Sequence, residues 1–485
     1  MADPRVPFFH EGYQSHTFIF FTPTWSTLDV KRRACAIVRS LWHNVTNRSF
    51  AMRLKFYWIV YRKHCLLVLF TLVLLAVATV LISRAGDLTV AQVPQIQDTH
   101  FQRANEILTN NETHHVIIVG AGASGMSAAY TLEYLNLSYT VLEAGATFGG
   151  RVQEMNDFID DVPLDLGAEW IHVMPRVLQD LLLFPDDDAA GSIEIIDYQP
   201  ETYKVYKRGR QRRRNVFALF YNEYKFFNTT WWSYFADYFY PYIADHVIFD
   251  AKVQDIQYNA NDDDAPTMTV TTSDGRQFKG SHVIVATPAR ILQDRDITFV
   301  PDLEPSTWEV IDSIDIADGM KVWFEWDEDF YPDMQFTESI LRGAEGQPSY
   351  FYFDGVWGKP TDRHVLCVFN VNEDKAREQA SWSDEEIVQF YLEKLQEIQG
   401  RSNLQAKLKQ TRVQNWSREP DIRGAYTWNY GDYDQEKLRK PLQSGHLFLA
   451  GEYVALGDEY VATVHGAAIT GREAVLQILS QQSNG

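Results

Sequence analysis

The stretch that decides the fold is HVIIVGAGASG, residues 115–125. Its first half, residues 115–119, is a short β-branched run of the kind that is buried in parallel sheets. Its second half has the spacing GxGxxG and leads into small and apolar residues that predict a helix over 124–135. A second strand, SYTVL, is predicted at 138–142. Strand, glycine turn, helix and strand in this order predict a βαβ unit.

The glycine spacing indicates a dinucleotide site. In such turns the first glycine makes the tight bend, the second lets the backbone approach a pyrophosphate, and the third lets the helix pack on the strand. The helix N-terminus then faces the phosphate charge. Glu143 ends the second strand, 23 positions after Gly120, where a carboxylate can accept hydrogen bonds from a ribose.

The residues that follow distinguish a flavin from a nicotinamide dinucleotide. FGGRV at 148–152 and LDLGAEWIH at 164–172 resemble the flavin-containing amine oxidase family, which includes monoamine oxidases, polyamine and spermine oxidases, L-amino-acid oxidases and lysine-specific histone demethylases. In that family GGR follows the ribose-binding glutamate, and an LGAxW segment runs beside the isoalloxazine. Three later segments also match in order: AKVQDIQY from 251, GMKVWF from 319, and LAGE from 449 with ATVHGAA from 462. The resemblance covers about residues 113–480.

The resemblance implies bound FAD and assigns residues to it. Arg151 would neutralise pyrophosphate charge, the backbone of Val253 would pair with adenine, and Glu452 would lie on the ribityl side. Backbone N–H groups near Val464 would stabilise the negative edge of reduced flavin. The predicted cofactor set is Gly120, Gly122, Ala123, Ser124, Gly125, Glu143, Ala144, Gly150, Arg151, Gly167, Ala168, Val253, Gly451, Glu452, Thr463 and Val464.

The resemblance also implies a catalytic lysine and a substrate pocket. Lys321 stands where the family has the lysine that holds a water against flavin N5. Its apolar neighbours, residues 322–324, would direct alternate side chains inward, which favours a buried lysine over a surface one. The predicted substrate contacts are His172, Glu169, Tyr426 and Thr463.

Departures from the family pattern sharpen this interpretation. Monoamine oxidases bond the flavin through a cysteine before an aromatic residue; here Ala425 precedes Tyr426, which predicts non-covalent FAD. The second wall of their aromatic cage aligns with Thr463, so the cage would be half open, as in spermine-oxidase-like members. His172 in the WIH segment also resembles polyamine and spermine oxidases. Only 81 positions separate His172 from Val253, which predicts a short substrate region.

The charge of the chain is unevenly distributed. The 485 residues carry a formal net charge of −21 and a sequence pI near 5.0, which excludes a generic nucleic-acid binder. Residues 1–84 hold eleven Lys/Arg and three acids, a net charge of +8, so the remaining 401 residues carry −29. Such an acidic body would attract polycations.

The basic segment precedes a predicted transmembrane helix. Residues 65–82 read CLLVLFTLVLLAVATVLI, eighteen residues without charge. The Lys/Arg excess before this span places the N-terminus in the cytoplasm and the acidic body on the lumenal or outer side. Four N-x-S/T sequons after the span, at Asn111, Asn136, Asn228 and Asn415, agree with glycosylation of that body; two others, Asn44 and Asn47, precede it. The cysteines stand at 35, 65 and 367 without a CxxC or HExxH motif, which predicts no structural zinc and no disulfide within the body.

The sequence therefore predicts an α/β chain: an FAD-binding Rossmann-type domain interleaved with an α+β substrate domain and preceded by one transmembrane helix. The predicted boundaries are a basic segment at 1–62, the membrane helix at 63–84, a polar stem without clear periodicity at 85–112, FAD-binding parts at 113–172, 248–300 and 416–480, and substrate parts at 173–247 and 301–415. The expected activity is oxidation of amines, polyamines above all, with O₂ as acceptor. Two alternatives remain at this point: a flavoprotein of the same fold acting on an apolar substrate, and an inactive flavin-binding anchored interaction protein.

Overall fold

The computed structural model describes residues 90–109, 114–184, 193–207, 209–213, 223–260, 267–337, 350–370, 373–428, 432–457 and 459–481. The predicted membrane segment, residues 65–82, lies outside these ranges, as does the sequon at Asn111. Inside them, no helix combines the length and the apolar character needed to cross a bilayer.

The described ranges contain both strands and helices, with several runs of consecutive strands. The strands are β1 Val116–Val119, β2 Tyr139–Leu142, β3 Glu154–Met155, β4 Leu164–Asp165, β5 Ile195–Tyr198, β6 Tyr203–Lys207, β7 Arg210–Arg213, β8 Glu223–Phe226, β9 Val247–Ile248, β10 Val253–Asn259, β11 Thr267–Thr272, β12 Gln277–Gly280, β13 His282–Val285, β14 Thr298–Val300, β15 Ile316–Ala317, β16 Met320–Trp326, β17 Met334–Thr337, β18 Tyr350–Asp354, β19 His364–Asn370, β20 Leu408–Asn415, β21 Tyr426–Thr427 and β22 Leu447–Leu449. The α-helices are α1 Asp98–Thr109, α2 Ala123–Tyr134, α3 Val177–Asp180, α4 Trp231–Tyr238, α5 Tyr240–Ile243, α6 Ala289–Gln293, α7 Pro305–Asp312, α8 Glu373–Gln379, α9 Asp384–Gln399, α10 Gln435–Leu438 and α11 Val464–Gln481.

A parallel five-stranded sheet confirms the predicted Rossmann-type domain. Its order is β22-β13-β1-β2-β9, and each neighbouring pair is parallel. All four side chains of β1 are buried, as expected for a central strand covered on both faces. The predicted βαβ unit is β1, α2 and β2.

A second, mostly antiparallel sheet interleaves with the first along the chain. Its order is β20-β16-β19-β18-β17-β6-β7, and only the pair of β17 and β6 is parallel. Because the chain alternates between the two sheets, the α+β part is assembled from segments far apart in sequence. The described part of 173–252 contains only short α-helices, of 4, 8 and 4 residues.

Helices α2 and α11 pack closely enough to require a glycine. A Cβ on Gly471 would lie 2.0 Å from the carbonyl oxygen of Ser124, which is inside van der Waals contact. This close approach holds the last helix of the chain against the helix that follows the GxGxxG turn.

The stem differs from its prediction, because residues 98–109 form α1. Ala104 and Ile107 are buried at helical spacing, and Asp98 stands in the first turn, where a negative charge is favourable. The extended residues before α1 are also held to the body. The guanidinium of Arg472 in α11 donates to the carbonyl oxygens of Pro94, Asp180 and Leu181, at 3.2, 3.2 and 2.5 Å.

Candidate active site

A cavity of about 740 Å³ opens at the carboxyl ends of the five-stranded sheet. Its lining includes the glycine turn after β1, Glu143 after β2 and the segment 286–288 after β13. Open α/β sheets bind ligands at this edge. The cavity continues to Lys321 on β16 and Tyr426 on β21, so it extends from the parallel sheet to the seven-stranded sheet and to the pair formed by β15 and β21.

The glycine turn leaves room for a ligand on one side and none on the other. A Cβ on Gly125 would lie 1.9 Å from the carbonyl oxygen of Gly120, so the helix and the turn touch there. At Gly122 the nearest atom to such a Cβ is 4.0 Å away, and at Gly150 it is 3.8 Å away. No side chain caps α2 at Gly122. The first turn of α2 is therefore open to an anion.

Glu143 lies at the centre of this turn. Its carboxylate accepts hydrogen bonds from the backbone N–H groups of Ala121 at 2.6 Å and Gly145 at 2.8 Å. Burial raises the pKa of Glu143 against the opposing effect of these two donors. A half-buried carboxylate at this point fits a ribose hydroxyl, which supplies a further donor.

Arg151 and Glu452 meet in the same cavity from segments 301 positions apart. Nη1 of Arg151 donates to Oε1 of Glu452 at 3.0 Å and to the carbonyl oxygen of Ala425 at 2.8 Å. These contacts orient the guanidinium within the lining, where it can offer positive charge to a pyrophosphate.

The structure places most of the other predicted cofactor residues along the same wall. Thr463 is the N-cap of α11, because its hydroxyl accepts from the backbone N–H of Gly466 at 3.0 Å. That hydroxyl also donates to the carbonyl oxygen of Tyr460 at 2.7 Å. The predicted substrate contact at Thr463 therefore already has hydrogen-bond partners within the protein. The remaining predicted cofactor residues in the lining are Gly120, Ala123, Ser124, Ala144, Gly167, Ala168, Val253, Gly451 and Val464. Gly125 packs behind them.

Lys321 is buried, with 2% of its surface exposed, and lines the cavity. Its Nζ donates to Oε2 of Glu169 at 2.7 Å and to the carbonyl oxygen of Asp165 at 3.3 Å. The other oxygen of Glu169 lies 2.5 Å from Nζ of Lys225. Glu169 therefore lies at the predicted pocket, and each of its oxygens contacts a lysine.

An aromatic wall surrounds the lysine. The ring centroids of Trp170, Phe353 and Phe369 lie 5.3, 5.8 and 5.9 Å from Nζ of Lys321. Tyr426 continues this wall, with its ring 6.4 Å from that of Phe369. Rings at these distances exclude water and stabilise a cation by their quadrupoles.

His172 pairs with a residue that the sequence analysis did not identify. Its Nδ1 lies 2.8 Å from Oε2 of Glu223 on β8, and both side chains line the cavity. Glu459, before α11, adds a further half-buried carboxylate to the lining. Sequence inspection missed Lys225 and Glu223 because both belong to EYKF, a short segment that matches no motif. The flanking aromatic residues were the only signal that this segment is buried.

The residues present fit FAD. The turn is open at Gly122 and Gly150, the half-buried carboxylate of Glu143 marks the ribose position, and Arg151 supplies positive charge in the same lining. The helices α2 and α11 both begin at the cavity, so two N-termini face it.

Comparison with known proteins agrees with this site. A model of the flavin containing amine oxidoreductase family matches residues 237–479, and a model of an NAD(P)-binding Rossmann-like domain matches 118–182. Polyamine oxidase 2 of Arabidopsis thaliana is 22% identical, over 73% of this chain and 86% of that protein. Polyamine oxidase 3 of rice, Oryza sativa subsp. japonica, is 27% identical, over 42% of this chain and 40% of that protein. A structure of wild-type putrescine oxidase bound to putrescine has a TM-score of 0.60 at 17% identity, covering 76% of this chain and 99% of that one.

Proposed function

Because the chain belongs to the flavin-containing amine oxidoreductase family and is an FAD-dependent amine oxidase, we propose that its substrate is a polyamine-like amine. The observation that carries this proposal is that two half-buried carboxylates, Glu223 and Glu459, line the cavity that also holds Lys321. A substrate with two or more amino groups can present one to the reacting end and another, still charged, to a carboxylate. The acidic body would raise the local concentration of such cations.

A bound FAD would supply the redox chemistry: it would take a hydride equivalent from the α-carbon of the amine, whose nitrogen loses a proton to give the imine, and would return the two electrons to O₂, which with two protons becomes H₂O₂. Water then hydrolyses the imine to an aldehyde and a shortened amine. The side chains of this protein orient the reactants. Ala425 stands where covalent members carry cysteine, which supports non-covalent binding of FAD.

The contacts of Lys321 allow its ammonium to hold a water in the cavity. Two of the hydrogen-bonding directions of its ammonium point to Glu169 and Asp165, which leaves one for a water in the cavity. A water held there can serve reoxidation or hydrolysis of the imine. Trp170, Phe369 and Tyr426 keep other water away from the reacting carbon.

Replacing Glu223 with glutamine should raise KM for a polyamine about 10-fold with little change in kcat, because a charge-assisted contact to the distal amine is lost. A monoamine should be oxidised equally well by both proteins. The measurement is peroxide production with spermine, spermidine, their acetylated forms and a monoamine. Glu419→Gln is the matched control, since Glu419 lines the same cavity but bonds Gln414 at 2.9 Å. Equal KM changes for polyamine and monoamine would count against this pocket assignment.

We also propose that residues 65–82 anchor the chain in a membrane with the acidic body on the lumenal or outer side. The charge difference across that segment supports this orientation. On this proposal Asn136 and Asn228, which are exposed, carry glycans, whereas Asn415 does not, because it is buried and its side chain accepts from the N–H of Ser417. Removal of N-glycans from the full chain should increase gel mobility, and Asn136→Gln with Asn228→Gln should reduce that change. Glycans on Asn44 or Asn47 instead would reverse the orientation.

A further inference from the structure

A second buried lysine, to which the proposed function gives no role, shares Glu169 with Lys321. Lys225 on β8 has 1% of its surface exposed, and its Nζ lies 4.9 Å from the ring centroid of Tyr198 and 5.4 Å from that of Phe353. Burying an ammonium is costly unless a counter-charge is present. Its ion-pair partner is Glu169, at 2.5 Å.

Glu169 bridges the two lysines. Oε1 lies against Lys225 and Oε2 against Lys321, so each lysine uses one oxygen of a single carboxylate that is itself 2% exposed. Lys321 lies on β16 and Lys225 on β8, which belong to different sheets. The orientation of the carboxylate is therefore set from both sides.

Other charged or titratable groups face this bridge from the neighbouring elements. Burial raises the pKa of Asp165 and of Asp354 to about 7 and lowers the pKa of Lys359 to about 8. Burial also raises the pKa of the Cys367 thiol on β19. Of these groups, Lys359 donates to the carbonyl oxygen of Phe226 at 3.0 Å, not to Glu169.

We propose that Lys225 is a positioning residue that acts through Glu169 to fix the direction of the Lys321 ammonium at the cavity. The inference rests on the proposed function, because it concerns the lysine assigned to the reaction. Without Lys225, Oε1 of Glu169 would lose its ion-pair partner among aromatic rings, and the carboxylate would be free to rotate about its last bond. The remaining N–H of Lys321 would then lose its fixed direction.

The pKa of Glu169 makes this role measurable through the pH dependence of stability. Burial raises the pKa of Glu169, but Lys225 and Lys321 together hold it below its ordinary value of 4.5. Losing one opposite charge at this distance should raise the pKa of Glu169. In the native protein the charged carboxylate contributes stability above pH 4.5, and that contribution is lost as the pH falls through the lower folded value.

The stability cost of Lys225→Met should therefore depend on pH. It should be full at pH 7.5, shrink as the pH falls below the raised pKa of Glu169 in the variant, and vanish only below the lower pKa of the native protein, where the carboxylate is protonated in both. Loss of packing alone would give a cost that does not change with pH. The measurement is the unfolding temperature of native protein and variant across this range, and it does not depend on turnover.

Activity supplies the second measurement. Lys225→Met should lower kcat about 10-fold without changing KM, and the acidic limb of its pH profile should move up by about 1 unit. Lys225→Arg, which keeps the cation, should leave that limb in place. In a Glu169→Gln background, Lys225→Met should cause no further movement of the limb. Lys409→Met is the control. Lys409 lies in the same sheet as Lys321 and is also paired with a glutamate, but its partner is Glu325 and not Glu169.

A pH-independent stability cost, a limb that moves in the Arg variant, or an undiminished effect in the Glu169→Gln background would each overturn the proposal. If no amine yields peroxide, the proposed function fails, but the unfolding measurement still tests the bridge. A pH-dependent cost in an inactive protein would separate the two failures.

Discussion

Replacing Lys321 with methionine should lower amine turnover about 100-fold while FAD stays bound, since ordering a reacting water or transferring a proton contributes rate on this scale. The fold should tolerate the change. Glu169 keeps Lys225 as its counter-ion, at 2.5 Å, so no buried carboxylate is left unpaired. The measurements are steady-state peroxide production with a polyamine and the flavin absorbance released by acid.

Stopped-flow kinetics would locate the effect of Lys321→Met within the reaction. If Lys321 orders the water used in reoxidation, reduction by the amine should keep nearly its native rate, and the return of the oxidised spectrum in O₂ should slow. Lys409→Met, on the strand paired with β16, is the matched control and should behave as the native protein. Native turnover of Lys321→Met with saturating amine would remove this lysine from the mechanism.

The second large effect concerns Gly471, where replacement by alanine should lower the free energy of unfolding by about 3 kcal/mol. In an ordinary helix position the same change is stabilising by about 1 kcal/mol, so the expected sign is opposite to that of helix propensity. The cause is the 2.0 Å distance between the new Cβ and the carbonyl oxygen of Ser124. Because Ser124 belongs to the first turn of α2, we also expect the variant to be purified with less than half the native FAD.

Urea unfolding and the flavin content after purification test this expectation. Ser480→Ala, at an exposed position of the same helix, should leave both quantities within error of the native protein. A stabilised Gly471→Ala variant with full FAD would mean that α2 and α11 can move apart at little cost.

The sequence predicted the part of the site that is formed by residues close together in the chain. β1, the turn and α2 are adjacent in sequence, so their spacing carries the dinucleotide signal directly, and Glu143 follows as the end of β2. Lys321 was found because its apolar neighbours indicate burial and because its segment matches a family motif. The family comparisons support amine oxidation over the apolar-substrate alternative.

Contacts between distant segments could not be predicted in this way. Glu169 bridges Lys225 and Lys321, which are 96 positions apart in the chain. The segment EYKF has no sequence feature that indicates this contact. The helix α1 was missed for a related reason. Its apolar side chains are few, and their burial depends on a surface that α11 supplies near the other end of the chain.

The place of α11 also bears on how the protein is made. Strand β22 and helix α11 come from residues 447–481, yet they complete the sheet and the helix layer whose other members begin at residue 116. A ribosome releasing this chain from its N-terminus would expose α2 and β13 long before their last neighbours, α11 and β22, exist. The nucleotide-binding half therefore cannot finish folding vectorially, because β13 stays unpaired on one side and α2 lacks its neighbour α11 until the last residues are made.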